Sequence, residues 1–180
     1  MKLELYKPRN ISEREDIVVH IGTRPVKNPH ISIEVVKLLR RRGFNTKLIV
    51  ISALSDLPKD ESVEHKYGLR ENEKNELLCK AKALILPSSY EALPYAVLNA
   101  MACGTPVVVS SAVPEEVVIN NFNGIRVDSF NPEDYADALE KLLTDEELWL
   151  KLSRNGLEFV KRFDYIEIAK RYVSIISELL

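Results

Sequence analysis

Residues Pro87 to Pro106 read P-S-S-Y-E-A-L-P-Y-A-V-L-N-A-M-A-C-G-T-P. The stretch follows an apolar run, Ala83–Leu86 (ALIL), and leads into another, Pro106–Val109 (PVVV). Pro87 stops a strand, Pro94 fits the first turn of a helix, and Gly104-Thr105 turns the chain into the next strand. The order is strand, loop, helix, turn, strand, with the helix over Pro94–Cys103. Two strands that are apolar throughout and joined by a helix are covered on both faces and run parallel.

The same alternation extends in both directions. Asp16–Ile21 (DIVVHI) is a β-branched strand closed by Gly22. Pro29 opens a helix with apolar residues at Ile31, Ile33, Val35, Val36, Leu38 and Leu39. It ends in Arg40, Arg41 and Arg42 before Gly43, a solvated stop in which cations complement the last carbonyls. Lys47–Ser52 is a second strand, and Asp56–Glu64, polar and carrying Pro58, reads as a surface loop. Glu71–Lys82 is helical, with Leu77, Leu78 and Ala81 facing inward. Beyond the opening stretch, Pro114–Ile119 reads as a short helix and Gly124–Val127 as a last strand. From Pro132 the chain is helical, with breaks near Thr144 and Phe163. Right-handed crossovers then give an α/β, Rossmann-like doubly wound parallel sheet, a single domain with a helical C-terminal segment. Residues 16–180 form that domain and residues 1–15 precede it.

Composition bounds the function. The chain has 180 residues, 46% hydrophobic and 29% charged, with a net charge of −2. That charge gives no footprint for nucleic acid. No apolar run has the length of a transmembrane segment, and MKLELYKPRN lacks a signal core, so the expected location is cytoplasmic. Cys79 and Cys103 are too few for a disulfide framework and read as buried small hydrophobes in a reducing compartment. His20, His30 and His65 show no metal-ligand spacing, so no metal is expected.

The six glycines are isolated, which excludes both G-x-G-x-x-G and a P-loop. Ligands of a doubly wound sheet sit beyond the carboxyl ends of its strands. After the first strand stand Gly22, Arg24 and Lys27, just before a helix N-terminus where anions are favoured. Two cations and a helix dipole can neutralise a diphosphate without a metal; the alternative is two exposed charges on a turn. The amides around Tyr95–Val97 lack helical acceptors and face whatever anion lies at the Glu91 loop. A phosphate would repel Glu91, which suits it to neutral sugar hydroxyls. Asn99 could reach another hydroxyl; the alternative is an acid in a first turn and a polar helix residue.

PSSYEALPYAVLNAMACGTPVV resembles the signature of the B-type retaining glycosyltransferases of family 4, the group 1 transferases, in which E-x7-E precedes A-M-A-C-G-T-P-V. The similarity runs from about Asp16 to Leu180. It includes I-G-T-R-P-V-K-N-P after the first strand, N-G-I-R-V (Asn123–Val127) and F-D-Y-I-E-I-A-K-R-Y (Phe163–Tyr172). The resemblance implies catalytic roles for Arg24, Lys27 and Glu91. Arg24 and Lys27 would hold the donor diphosphate as it leaves. Glu91, with Gly22 and the main chain of Ala92, Leu93, Pro94, Tyr95 and Ala96, would bind the sugar and the diphosphate. Asn99 would face the ribose, and Gly68, Leu69 and Arg70, after a third strand, would cup the base. The implied substrate is a nucleotide diphosphate sugar, with no cofactor.

Asn99 stands where the family has its second glutamate, and a neutral amide binds a diol less strongly. Arg24 is closer to Lys27 than the family's arginine is. Glu115 and Glu116 follow Pro114 where a glycine turn is usual, and nothing assigns them a role. Family members carry two such domains. The resemblance therefore implies an acceptor-binding N-terminal domain missing here, with residues 1–15 the remnant of an interdomain linker and the isolated chain inactive. The last helix, Ile166–Leu180, would cross back onto that domain and show apolar surface without it. Any membrane contact would be peripheral, at the inner membrane face, through that domain. The alternative is a non-catalytic scaffold or regulatory module. A nucleotide-sugar epimerase is disfavoured, because its catalytic acids are not recognisable.

Overall fold

The computed structural model describes residues 1–54 and 56–179. Among them, six strands form one sheet: β1 (Glu15–Ile21), β2 (Lys47–Ile51), β3 (Val63–Lys66), β4 (Ala81–Leu86), β5 (Val107–Ser110) and β6 (Ile125–Val127). All pairings are parallel, in the order β3-β2-β1-β4-β5-β6. The helices are α1 (Pro29–Arg41), α2 (Glu71–Lys80), α3 (Tyr95–Ala102), α4 (Pro132–Thr144), α5 (Glu146–Val160) and α6 (Tyr165–Leu179).

Successive strand residues point to opposite faces, and both faces are covered. Val19, Ile49, Ile51, Leu84, Leu86, Val107 and Val109 pack with α2, α3 and the end of α5. Val18, Leu48, Val50, Ala83, Ile85 and Val108 pack with α1, α4 and Trp149. Each fully buried Val, Leu or Ile contributes on the order of 1.5–3 kcal/mol, so these two layers dominate stability. Arg42, exposed just past α1, pairs with Glu133, Asp137 and Glu140 of α4 in the same layer.

Three expectations are corrected. The segment expected to be a loop to Glu64 enters β3 at Val63, which pairs with Leu48 at the sheet's edge. An edge strand needs no apolar run, so VEHK gave no strand signal. The helix expected over Pro114–Ile119 is a single turn, closed by Val117 N–H to Pro114 C=O at 2.9 Å. Asn123 takes the backbone groups that a helix would use: its Oδ1 accepts from Ile119 N–H at 2.8 Å and its Nδ2 donates to Val117 C=O at 3.1 Å. Finally, Cys79 and Cys103 are not separate thiols but a disulfide, with Cα atoms 4.7 Å apart. The end of α2 packs beside the C-cap of α3 at Cys103, a proximity that a separation of 24 residues does not reveal. The bond weighs against the reducing-compartment expectation, because intracellular disulfides concentrate in hyperthermophiles.

Residues 1–14 lie against the domain. The Met1 amino group donates to Phe163 C=O at 2.7 Å, and Tyr165 N–H donates to Met1 C=O at 2.9 Å. Arg14 is buried under β1. α6 contributes no buried residue and exposes Tyr172, Val173, Ile175, Ile176 and Leu179. Leu180, where that helix was expected to end, lies outside the described residues. Among them, no helix is long and apolar enough to cross a membrane.

Candidate functional site

From the central pair β1 and β4 the chain moves outward in opposite directions, to β2 on one side and β5 on the other. The loops after these two strands therefore flank the crevice that such a reversal creates. They are stitched together. Ser89 N–H donates to Val26 C=O at 2.8 Å, and Asn28 Nδ2 donates to Pro87 C=O at 2.9 Å.

Lys27 Nζ reaches Glu91 Oε1 at 2.5 Å, and Ser88 Oγ donates to the same oxygen at 2.7 Å. The Glu91 side chain is only 4% exposed and that of Lys27 15%. A carboxylate so enclosed needs its cation. Glu91, expected to meet neutral sugar hydroxyls, is clasped by these two donors through one oxygen. Arg24 is exposed and makes no ion pair among the described residues.

Gly22 permits this arrangement. A Cβ there would stand 2.5 Å from Lys27 Cβ and 3.0 Å from His20 Nε2. His20 is fully buried, its Nδ1 is 2.9 Å from Ser32 Oγ, and its Nε2 has no partner. Burial, with the nearby Lys27 charge, pushes the imidazole down to about 3, so it is neutral beneath the loop.

α3 begins behind the Glu91 loop without a side-chain cap. Its amides are less bare than expected: Tyr95 N–H donates to Leu93 C=O at 3.0 Å and Val97 N–H to Pro94 C=O at 2.9 Å. Ala92, Leu93 and Tyr95 are exposed, Ala96 half-buried and Pro94 buried.

A cavity of about 470 Å³ opens beside this turn, walled in part by Tyr6, Ile21, Glu71, Asn75, Tyr95 and Asn99. Asn99 is engaged on both sides. Tyr6 OH donates to its Oδ1 at 2.8 Å, and its Nδ2 donates to Glu71 Oε1 at 3.0 Å. Burial, and the charge of Glu71, push the Tyr6 phenol up to about 12. Lys27 and Glu91 are not in this wall; Ile21 and Tyr95 connect the two places. Gly68, Leu69 and Arg70 lead into Glu71 at its rim. Gly68 has φ +69° with open space around it, Leu69 packs on the core, and Arg70 turns back to Glu73.

Sequence reasoning missed Tyr6, Ser88, Glu71 and Asn75. Tyr6 fell in the segment set aside as linker, and the others are ordinary polar residues whose meaning comes from their neighbours. His20 did leave a signal, a polar residue inside DIVVHI.

A doubly wound sheet with paired loops and a cavity at its point of reversal is a ligand-binding α/β domain. The description "Glycosyl transferases group 1" matches residues 2–159, and the chain belongs to that family. One curated relative is the N,N'-diacetylbacillosaminyl-diphospho-undecaprenol alpha-1,3-N-acetylgalactosaminyltransferase of Campylobacter jejuni. It is 33% identical over 106 residues, 58% of this chain and 28% of that protein. The chain spans less than half the length of such relatives. The crystal structure of the C-terminal domain of a group 1 glycosyl transferase from Francisella tularensis superposes with a TM-score of 0.78. Identity is 18%, and the match covers 92% of this chain and 99% of that one. Anabaena HepE in complex with UDP-glucose gives 0.82 at 19% identity, over 99% of this chain and 56% of that one.

Proposed function

We propose that this chain is the donor-binding half of a retaining glycosyltransferase, moving a sugar from a nucleotide diphosphate sugar to an acceptor. The observation that carries the reading is the Lys27–Glu91 pair, held at 2.5 Å across the two loops of the crevice. Lys27 has three N–H donors and uses one on Glu91, so two are left for diphosphate oxygens. Arg24 brings a planar fork to the same loop and can close on the diphosphate from solvent. The α3 N-terminus adds partial positive charge. Lys27 and Ser88 both use Glu91 Oε1, which leaves Oε2 for a sugar hydroxyl. Main-chain groups of Ala92–Ala96 complete the sugar and diphosphate site, and Gly68–Arg70 the base site. These cations come from the chain itself, so the reading needs no metal.

In the reaction the bond from the sugar's anomeric carbon to the diphosphate breaks, and the acceptor oxygen bonds to that carbon on the same face. The acceptor's proton passes to the departing phosphate. The chain's share is electrostatic, fixed positive groups where negative charge grows, and losing one such donor costs about 10²–10³ in rate. The acceptor site belongs to a second, N-terminal domain. Titration calorimetry with UDP, GDP and ADP tests the reading. One of them should bind, and no heat from any at millimolar concentration would sink it. Asn99, already held by Tyr6 and Glu71, favours the alternative of a non-catalytic module. That alternative requires Glu91→Ala to leave nucleotide-sugar affinity unchanged.

A further inference from the structure

The disulfide stands between two cavities. Cys79, in the last turn of α2, bonds to Cys103 at the C-cap of α3. Nearer their other ends the same two helices wall the 470 Å³ cavity, through Glu71 and Asn75 on α2 and Tyr95 and Asn99 on α3. Asn75 also lines a second cavity of about 400 Å³, and Cys79 stands in that second wall. Cys79 is 4% exposed and Cys103 not at all, so the approach from solvent is to Cys79. The carboxylates of the second wall are paired, Glu71 with Lys74 at 2.5 Å and Glu76 with Lys80 at 3.1 Å. Its cations, Lys7 and Arg9, make no ion pair among the described residues. Such cations favour a thiolate, the form that attacks a disulfide.

The reduced state has contacts waiting for it. Cys103 Sγ lies 3.3 Å from the Asn75 carbonyl oxygen, an acceptor for its thiol. Thr105 Oγ1 donates to Leu78 C=O at 2.6 Å, and Arg14 donates to Cys103 C=O at 2.8 Å. The two helix ends thus stay attached, more loosely, when the sulfur bond opens.

We propose that Cys79–Cys103 is an exchange site for a small dithiol, and that its reduction weakens binding in the 470 Å³ cavity. The dithiol's thiolate bonds to Cys79 Sγ as the Cys79–Cys103 bond breaks, and Cys103 departs as a thiolate that takes up a proton. The dithiol's second sulfur then displaces Cys79, which is protonated in turn, and the dithiol closes into a cyclic disulfide. Two electrons and two protons pass to the protein. A ligand of the reduced chain must order α2 against α3 itself, a cost that a preformed wall avoids. The nature of that ligand rests on the donor-binding reading above.

Calorimetry of the whole chain with UDP, GDP and ADP, air-oxidised and after dithiothreitol, tests the coupling. Affinity for the preferred nucleotide should fall about three- to tenfold on reduction and return on reoxidation, with circular dichroism unchanged. The double variant Cys79→Ser, Cys103→Ser should bind as the reduced chain does, with or without dithiothreitol. The exchange is read separately by peptide mass. Oxidised glutathione should form a mixed disulfide at Cys79 in Cys103→Ser and none at Cys103 in Cys79→Ser. Lys7→Glu with Arg9→Glu should slow reduction by dithiothreitol about tenfold. Equal affinity in the two redox states, labelling of Cys103 rather than Cys79, or free thiols in the air-oxidised chain would overturn the proposal. Absence of binding to every nucleotide would instead remove the donor-binding reading, and the mass and rate measurements decide the exchange site without any nucleotide.

Discussion

Two cations stand near opposite ends of β1, Arg14 buried and Lys27 half-buried, and their surroundings differ in kind. At the amino edge, Arg14 is 7% exposed, and all five of its N–H groups meet acceptors. These are the carbonyls of Arg9, Ala81, Cys103 and Gly104 and the hydroxyl of Thr105, and the guanidinium also lies 4.8 Å from the Trp149 ring centre. Burial lowers its pKa to about 10, which still leaves it charged at neutral pH. At the carboxyl edge, Lys27 meets one carboxylate and keeps unused donors beside solvent. A saturated cation holds backbone together, whereas an unsaturated one can receive a ligand. The comparison separates structure from function without reference to which residue is charged.

The largest expected effect breaks the saturated side. Arg14→Leu leaves several buried carbonyls without donors and should cost about 3–5 kcal/mol in chemical denaturation. Nucleotide affinity of the folded fraction should not change. Next comes the disulfide, whose Cys103 also gives its carbonyl to Arg14. Reduction frees a loop of 24 residues and should lower stability by about 3 kcal/mol, read as a Tm drop of about 6–12 °C with reductant. On the ligand side, Lys27→Ala should weaken diphosphate binding by about ten- to hundredfold, through the loss of one charge-assisted contact. Nucleoside binding should hold. Equal losses for both ligands would mean that Lys27 supports the fold, as Arg14 does.

The effect that is smallest at neutral pH, and grows only on acidification, concerns His20. Its pKa falls from 6.5 unfolded to about 3 folded, so below pH 6.5 the unfolded chain binds the proton and the folded one does not. Stability is therefore complete above pH 6.5 and is lost on acidification toward pH 3, at up to about 1.4 kcal/mol per pH unit. His20→Asn should flatten that part of the stability–pH curve in urea titrations. A slope that survives the substitution would place the titration elsewhere.

The fold was legible where a strand is covered on both faces, because that leaves the mainly apolar runs DIVVHI, KLIVI and ALIL. It was not legible at β3, where an edge position tolerates VEHK. Nor was it at Pro114–Ile119, where a side chain several residues later, Asn123, claims the backbone. For the site, topology made the meeting of two loops foreseeable, although Lys27 and Glu91 are 64 residues apart. What topology does not supply is occupancy. Asn99 read as an available amide until Tyr6, 93 residues earlier, was found bonded to it.

Gly22 carries the consequence that reaches furthest. The volume that its missing methyl would fill is shared by the Lys27 stem and the His20 ring. The ammonium thus owes its address to an empty spot, and a single added carbon would evict it from the crevice while every polar group of the site stayed intact.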